Sequence, residues 1–252
     1  MRSTSLELLL NDDAIVAVNK PAGLAAIAGR GEDRNLLQSL AEQLGLPFTG
    51  SADPRLRVVH RLDKDTTGVM LFAKTVEAQR HLSHQFQNNT VQKEYLAIVA
   101  GSPTSDSGTI DAPLAPHPND KLRMAVDPKK RLGGRRAVTD WRVEARARAF
   151  SLIRAFPKTG KTHQIRVHLA HLGHPLAVDP LYGSAEPIFL SQHKRNYRPT
   201  RGEEERPLIA RLTLHAHRLT FVHPDGQPRT VVAPLPKDLR ATVRQIFGVA
   251  LA

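Results

Sequence analysis

An aspartate with an arginine two residues before it lies between two apolar, strand-like runs. The stretch reads VHRLDKDTTGVMLFAK at 59–74, with the arginine at Arg61 and the aspartate at Asp63. Side chains two residues apart in an extended segment share one side, and the Asp, Thr and Gly residues that follow are typical of a turn. The pattern places a carboxylate beside a guanidinium, and an ionised carboxylate can act as a nucleophile or proton acceptor. Asp and Thr are also ordinary turn residues, so the motif alone leaves a structural role open.

Four segments, in order along the chain, resemble the motifs of the RluA-type RNA pseudouridine synthases. The turn HRLDKDTTG at 60–68 is similar to their HRLD-x-x-[ST]-S-G loop, with Thr67 in place of the usual serine. The other segments are AIVAVNKPAGL at 14–24, KEYLAIVAG at 93–101, and KTGKTHQIRVH at 158–168, which VDPLYG at 178–183 continues. Lys161 occupies a position of the last motif where arginine is common. Four motifs in one order are far more specific than any single short match.

The resemblance spans residues 15–224 and implies both a fold and a reaction. The implied fold is the pseudouridine synthase fold, an α+β architecture with a mixed, largely antiparallel sheet, flanking helices and loop insertions. The implied reaction isomerises uridine in RNA to its C-glycoside and consumes no water, phosphate or redox agent, so no cofactor is expected. Relatives often carry an N-terminal S4-like RNA-binding domain. Because eighteen residues precede Asn19, we expect the catalytic domain alone.

The resemblance also implies roles for individual residues. Asp63 matches the catalytic aspartate, which could attack C1′, add to the base or take the C2′ proton. Tyr95 matches the tyrosine that stacks on the uracil, and Arg166 matches the arginine that pairs with the aspartate. Arg61 matches the arginine that helps to displace the target base. From the residues alone, Tyr95 could be a half-buried strand tyrosine and Arg166 part of a solvated helix face. Neighbouring motif residues are predicted to bind the substrate: His60, Thr67, Lys93, Thr162, His163 and Gln164.

Basic residues cluster at 121–136, where seven of them accompany a single acid, Asp127. Gly133 and Gly134 predict a flexible tip, and the resemblance implies that a loop of this kind reaches over the RNA and contacts phosphates. The alternative is a solvated basic loop. The predicted RNA-binding residues of this insertion, at about 116–137, are Lys121, Arg123, Lys129, Lys130, Arg131, Arg135 and Arg136. A second, polar insertion at about 184–210 could be a substrate-specific flap or a disordered loop.

Composition agrees with an RNA enzyme. The chain has 36 Lys and Arg against 24 Asp and Glu, a formal net charge of +12, and such a field attracts polyanions. Its lack of cysteine excludes disulfides, cysteine-ligated metals and thiol nucleophiles. No signal peptide or membrane segment is evident, so we expect a cytoplasmic monomer whose partner is RNA and not a membrane. The partner is ribosomal or transfer RNA with an unpaired or flippable uridine, and the sequence does not identify which.

Four histidines within twelve residues raise the alternative of a metal-dependent hydrolase: His163, His168, His171 and His174. Their spacing is poor for shared ligation, because five residues correspond to about 140° around a helix. We therefore predict no metal site. A second alternative is an RNA-binding or assembly protein that kept the fold and lost catalysis. The joint presence of Asp63, Tyr95 and Arg166 argues against it.

Short strand-like runs with intervening helices must position these residues. Runs at 6–10 and 14–18 predict a hairpin, and apolar spacing with cap residues predicts helices at 35–44 and 75–86. From Lys93 to Thr162 the pattern is mostly β. An apolar stripe at Ile165, Leu169 and Leu172 ends at Gly173, and 237–247 suggests a closing helix. The pattern favours an α+β fold in one catalytic domain over 1–252.

Overall fold

The computed structural model describes residues 5–27, 34–194, 197 and 204–250. The strands in these ranges are β1 Leu8–Asn11, β2 Ile15–Lys20, β3 Arg57–Val58, β4 Thr67–Ala73, β5 Gln92–Ala100, β6 Ser107–Asp111, β7 Leu114–His117, β8 Asp120–Val126, β9 Val138–Arg146, β10 Phe150–Pro157, β11 Leu214–Val222 and β12 Pro228–Val232. The α-helices there are α1 Leu36–Leu44, α2 Val76–Gln87, α3 Gln164–His171 and α4 Lys237–Thr242. A 3₁₀ turn covers Leu190–Gln192, and a π-helical turn, Val243–Phe247, follows α4.

The chain forms two compact units. Unit 1 comprises Met1–Glu94 and Ala216–Pro234, so it is built from two separate stretches of sequence. Unit 2 comprises Tyr95–His215 and Leu235–Ala252. The single catalytic domain expected from the sequence stays a prediction.

In unit 1, β2 and β4 form the centre and carry the polar turn. They pair antiparallel, with Ile15 opposite Ala73 and Lys20 opposite Gly68. All seven residues of β4 are buried, and Ala78 and Leu82 of α2 belong to the same hydrophobic core. β3 pairs with the distal end of β4. The connection between β3 and β4, residues 59–66, is therefore tied at both ends to one rigid strand.

Gly68 lies at the start of β4, directly after that connection. Its φ is +115°, and a Cβ at this position would stand 2.1 Å from the carbonyl oxygen of Ala216 on β11. Real Cβ atoms do not approach backbone so closely, and L side chains rarely adopt this φ. The close passage of β4 and β11 within unit 1 therefore requires glycine.

In unit 2, the strands pair antiparallel in the order β5, β10, β9, β6. Ile165 and Leu169 of α3 pack into a core that contains Trp141 and Ile153. Six of the eight residues of α3 are buried, including the polar Gln164, Arg166 and His168. A helix with so much polar surface inside the protein must satisfy those groups internally.

The two insertions in unit 2 have defined bases. The basic one begins as a separate hairpin of β7 and β8, in which Leu114 lies opposite Val126. The polar one is closed by two backbone hydrogen bonds, from the N–H of Ile188 to the carbonyl of Ile209 and from the N–H of Leu208 to the carbonyl of Ile188. Within it, residues 195, 196 and 198–203 lie outside the described residues, so the choice between a flap and a disordered loop stays open.

Most elements expected from the sequence are present. Asn35 and Thr75 cap α1 and α2 by accepting the backbone N–H groups of Gln38 and Ala78, and the N-cap at Thr75 was predicted. The β-rich stretch before α3 and the α+β class are confirmed. The N-terminal hairpin lies about two residues later than predicted, within the usual error of strand boundaries. The closing helix covers the predicted residues 237–247, with α4 as its first part and the π-helical turn as its second.

Candidate active site

Asp63 lies at the start of a tight turn in unit 1. Its backbone carbonyl accepts a hydrogen bond from the N–H of Thr66 at 3.2 Å. The side chain of Leu62 is buried and anchors the turn, whereas Asp63 is half-buried and Arg61 is exposed. The predicted placement of the Asp63 carboxylate beside the Arg61 guanidinium stays a prediction.

Lys20 stabilises this turn by hydrogen bonds to its backbone. It is fully buried, and its ammonium donates to the carbonyl oxygens of Pro21, Lys64 and Thr66 at 2.9, 2.6 and 2.9 Å. Two of these acceptors belong to the turn that starts at Asp63. An ammonium has three donors, and the three carbonyls match them. The sequence pattern contains Lys20 in the NKP segment but indicates no role for it.

We expect Lys20→Met to lower the free energy of unfolding by about 2–4 kcal/mol, because buried carbonyls would lose their donor. Urea denaturation would measure the change. Lys64→Met is the matched control, since it makes the same substitution at an exposed side chain of the same turn. Equal effects of the two substitutions would contradict the supporting role of Lys20.

His60 is committed to the scaffold of unit 1. Its ring stacks on Phe86 with centroids 4.4 Å apart, and its Nε2 accepts the backbone N–H of Leu71 at 2.9 Å. Burial and, secondarily, the nearby charge of Lys93 lower the pKa of His60 to about 3, so the ring is neutral at physiological pH. These contacts account for His60 without a substrate. Its predicted part in substrate binding stays a prediction.

The other unit 1 candidates differ in exposure. Thr67 is the first residue of β4 and is buried. Lys93 is half-buried on β5. Their predicted substrate contacts stay predictions.

In unit 2, Arg166 forms a buried ion pair with Asp179. Its Nε and Nη2 each donate to one carboxylate oxygen of Asp179 at 2.8 Å, and the two side chains are almost fully buried. Asp179 also accepts the backbone N–H of Leu181 at 3.0 Å. The solvated helix face considered for Arg166 is therefore wrong. Its implied pairing with Asp63 stays a prediction.

Sequence reasoning missed Asp179 as the partner of Arg166. The residue lies in VDPLYG, and the available signal was an aspartate followed by a proline, an ordinary turn pattern. Nothing in the spacing shows that it meets an arginine thirteen residues earlier. The two parallel hydrogen bonds fix the orientation of the Arg166 guanidinium plane, whereas the ammonium of a lysine would make no such bidentate contact.

Tyr182 connects α3 to the basic hairpin. Its hydroxyl accepts the backbone N–H of Met124 at 2.7 Å and lies 2.8 Å from Nδ1 of His163. The guanidinium groups of Arg123 and Arg166 lie 5.4 and 5.1 Å from its ring centroid. Burial raises the pKa of Tyr182, so the phenol stays protonated. Of the predicted residues, the structure thus brings together Arg123, His163 and Arg166.

Gln164 links the start of α3 to the sheet of unit 2. Its Nε2 donates to the carbonyl of Val138 and the hydroxyl of Thr139, at 2.9 and 3.0 Å. Its Oε1 accepts from the hydroxyl of Thr159 and the N–H of Lys161, at 2.7 and 3.0 Å. The amide is fully engaged within the protein, which assigns Gln164 to the scaffold. A direct substrate contact stays only a prediction.

The histidine cluster is dispersed among separate contacts. His168 is buried between the hydroxyl of Thr139 and the carbonyl of Ala112, and burial lowers its pKa. His174 bonds to a carbonyl of β5, while His171 is exposed. In the part of the chain that the structure describes, no group of three or more His, Cys, Asp or Glu side chains could hold a metal ion.

Two further candidates lie at the surface or edge of unit 2. Tyr95 is half-buried on β5 opposite Ala155 of β10, and it packs against the core of this unit. Thr162 is exposed in the turn before α3. His163, which follows it, has a φ of +54°, an uncommon conformation for a residue other than glycine.

The basic insertion is exposed but not loose. Arg123 is half-buried, whereas the side chains of Lys121, Lys129, Lys130, Arg131, Arg135 and Arg136 are exposed. The flexibility expected from Gly133 and Gly134 stays a prediction, but the tip has internal hydrogen bonds. The carboxylate of Asp127 accepts three backbone N–H groups from this tip and fixes its shape.

Comparison with known proteins places these features in a family. The family model for RNA pseudouridylate synthase matches residues 14–171. The chain is 43% identical over 237 residues to "Ribosomal large subunit pseudouridine synthase D" of Xanthomonas campestris pv. campestris, covering 93% of this chain and 67% of that protein. It is 41% identical over 246 residues to the protein of the same name from Nitrosomonas europaea, covering 96% of this chain and 65% of that one.

A solved structure agrees. "Human RNA Pseudouridylate Synthase Domain Containing 4" superposes with a TM-score of 0.69 at 27% identity, covering 95% of this chain and 92% of that one. The bacterial relatives are longer, and the chain spans about two thirds of their length. Among the described residues, none of the helices has the length and apolar character needed to cross a membrane.

Proposed function

The chain belongs to the RNA pseudouridylate synthase family, and on this premise we propose that it isomerises uridines in RNA of the large ribosomal subunit, with Asp63 as its catalytic carboxylate. The observation that carries the proposal is the family match over residues 14–171, which includes the Asp63 turn and all of α3. The family and fold expected from the four motifs are confirmed. The catalytic roles of individual residues are part of the proposal.

The reaction requires only bond exchange within one nucleotide. The bond from N1 to C1′ breaks, a bond from C5 to C1′ forms, C5 loses a proton, and N1 gains one. A single ionised carboxylate can assist at C1′, at the base or at the C2′ proton. The exposed turn of Asp63, held by buried Lys20, suits such a group. The family's motifs support this role, and they leave the three routes open.

Further residues take supporting roles in the proposal. Tyr95 stacks on the uracil and assists removal of the C5 proton, while Arg61 fills the space that the displaced base leaves. The exposure of Arg61 beside Asp63 supports its part. Arg166, whose guanidinium is oriented by Asp179, takes the part of the family's arginine that pairs with the catalytic aspartate.

Large-subunit ribosomal RNA is the proposed substrate because the names of both bacterial relatives refer to the large ribosomal subunit. The net charge of +12 and the exposed cations of the basic insertion favour a polyanionic partner. The proposal includes a monomer that acts in the cytoplasm. Transfer RNA is the alternative substrate, and a catalytically inactive RNA-binding protein is the alternative function.

Pseudouridine mapping of total RNA tests the substrate and the activity together. A strain that lacks this protein should lose the modification at defined uridines of large-subunit ribosomal RNA. Re-expression of the wild type should restore them, whereas Asp63→Asn should not. Loss confined to transfer RNA would exclude the ribosomal substrate. Restoration by Asp63→Asn would favour a role in RNA binding without catalysis by this residue.

The basic insertion gives a prediction about salt. Replacing Lys129, Lys130, Arg131, Arg135 and Arg136 by Ser should weaken RNA binding and flatten its salt dependence. The logarithmic slope should fall by about 0.7 for each phosphate of single-stranded RNA that the variant no longer neutralises, or by roughly 2 for three phosphates. Equilibrium binding of an in vitro transcript of large-subunit ribosomal RNA at several salt concentrations would measure the slope.

A charge-matched variant controls for the reduction in net charge. It replaces five other exposed basic residues by Ser: Arg80, Arg148, Lys237, Arg240 and Arg244. Its salt slope should stay closer to that of the wild type. Equal salt slopes for the two variants would indicate that the insertion does not contact RNA phosphates and that the RNA-binding surface lies elsewhere.

A further inference from the structure

Asp127 is the only acid among the sixteen residues 121–136, yet it is buried, with 4% of its surface exposed. Its Oδ1 accepts the N–H of Arg131 at 2.9 Å. Its Oδ2 accepts the N–H groups of Leu132 and Gly134, both at 2.9 Å. One carboxylate thus fixes three backbone positions of the basic tip from inside.

The base of this tip is closed as well. The N–H of Asp127 donates to the carbonyl of Pro113 at 2.7 Å, and Leu114 and Arg135 exchange two backbone hydrogen bonds of 2.9 Å. The carbonyl of Asp127 accepts the N–H of Lys130 at 3.0 Å. We name residues 127–135 the stapled loop. Its conformation is set by Asp127 at one end and by the bridge to Leu114 at the other.

The backbone of the stapled loop tolerates little change. Lys130 has a φ of +51°, and a Cβ at Gly134 would lie 2.8 Å from Oδ2 of Asp127. The loop is therefore a compact structure whose exposed side chains include Lys129, Lys130 and Arg131. Cations held on a fixed backbone lose less conformational entropy on binding than cations on a loose one.

We propose that Asp127 is a positioning residue for RNA binding, which holds the stapled loop in the shape that sets its basic side chains against RNA phosphates. The inference rests on the proposed function, in which this insertion contacts RNA. An acid in the RNA-binding segment thereby favours binding to a polyanion. Its carboxylate is hydrogen-bonded to backbone N–H groups, and its contribution to binding is the order that these bonds give the loop.

The sign of the effect distinguishes this inference from simple electrostatics. Removing an acid from a basic protein should tighten binding to RNA if charge alone decides. We expect Asp127→Asn to weaken binding about fivefold instead, because the amide nitrogen cannot accept the N–H groups and the loop must be ordered on binding. Asp106→Asn is the matched control, because it makes the same change in charge at a side chain that is 89% exposed. It should bind as tightly as the wild type or more tightly.

Gly134→Ala perturbs the same contact from the opposite side without changing charge. Its added Cβ would displace Asp127, so it should also weaken binding. The affinities are measured with the large-subunit ribosomal RNA transcript in an Asp63→Asn background, so that the substrate is not converted. Hydrogen exchange over 127–135 should accelerate in both loop variants. In the active enzyme the loss should appear in KM more than in kcat, and urea denaturation would show whether each variant folds.

The outcomes separate this inference from the proposed RNA surface. If Asp127→Asn and Gly134→Ala fold and bind RNA as well as Asp106→Asn does, the positioning role is overturned. If they bind normally while the variant with five serines in the basic insertion binds weakly, this inference fails but the proposed RNA surface stands. If that insertion variant also binds normally with an unchanged salt slope, both the inference and the proposed RNA surface fail. Should Asp127→Asn not fold, Gly134→Ala decides the matter by the same measurements.

Discussion

Asp63→Asn should give a folded protein that binds RNA and forms pseudouridine at least about 10³-fold more slowly than the wild type. The substitution preserves the size of the side chain and removes the ionised oxygen that could attack carbon or take a proton. The turn should survive, because its supports are the buried Lys20 and Leu62 and the backbone bond from Thr66. Single-turnover formation of pseudouridine in the ribosomal RNA transcript, with enzyme in excess, would measure the chemical step directly.

Asp65→Asn is the control for this result. Asp65 lies in the same turn, is exposed, and undergoes the same loss of charge. It should keep activity close to that of the wild type. If Asp63→Asn retained more than about a tenth of the wild-type rate in a preparation free of contaminating enzyme, the assignment of Asp63 would be wrong.

Arg166→Ala should produce the second large effect, on both stability and activity. It would leave the carboxylate of Asp179, which is 0% exposed, without its bidentate partner. Breaking a buried pair in this way costs about 3–5 kcal/mol. Arg211→Ala is the matched structural control. Arg211 makes the same bidentate contact with Asp238 at 2.7 Å, and this pair is partly exposed, so it should cost less.

A double variant separates the structural role of Arg166 from its proposed catalytic one. Arg166→Met with Asp179→Asn removes both charges and keeps an oxygen that can accept the N–H of Leu181. Such neutral replacements of buried pairs often recover stability. We expect most of the unfolding free energy to return while pseudouridine formation stays severely reduced. Recovery of full activity would limit Arg166 to a structural role.

Local features of the chain were readable from sequence where the signal is itself local. Asn35 and Thr75 mark helix starts because their side chains bond to N–H groups three residues on. The apolar residues that follow recur at helical spacing, so they can be recognised from the sequence of a single helix. The catalytic turn was recognisable for the same reason, since its motif is contiguous. Membership of a family then followed from several such contiguous motifs.

Roles that depend on distant contacts could not be read in this way. Lys20 reaches carbonyl groups 44 and 46 residues along the chain, and lysine is among the residues least often fully buried. Asp179 meets Arg166 only because α3 folds back toward the segment that follows it. Gln164 was predicted to bind substrate and His168 was considered as a metal ligand, whereas their hydrogen-bond partners lie on β9 and beside β6.

Asp127 illustrates a structural role that a count of charges does not show. In the basic insertion it was counted only as the single acid beside seven bases. An aspartate followed by glycines six and seven residues later is also compatible with a loop folded back on its carboxylate. Flexibility was inferred from the two glycines, although glycine also permits tight structures that other residues cannot adopt.

The split sequence of unit 1 has a consequence for synthesis of the protein on the ribosome. Its first stretch ends at Glu94, and β11 and β12 are supplied only from Ala216 onward. The 121 residues between them (215 minus 94) take about 6–24 s to translate at typical rates. Throughout that interval the nascent chain carries β4, whose residues are all buried in the finished protein, beside an empty strand position. Completion of the unit that bears Asp63 must therefore wait for translation of the first stretch of the other unit, and during that time the unpaired edge of β4 could pair with another chain.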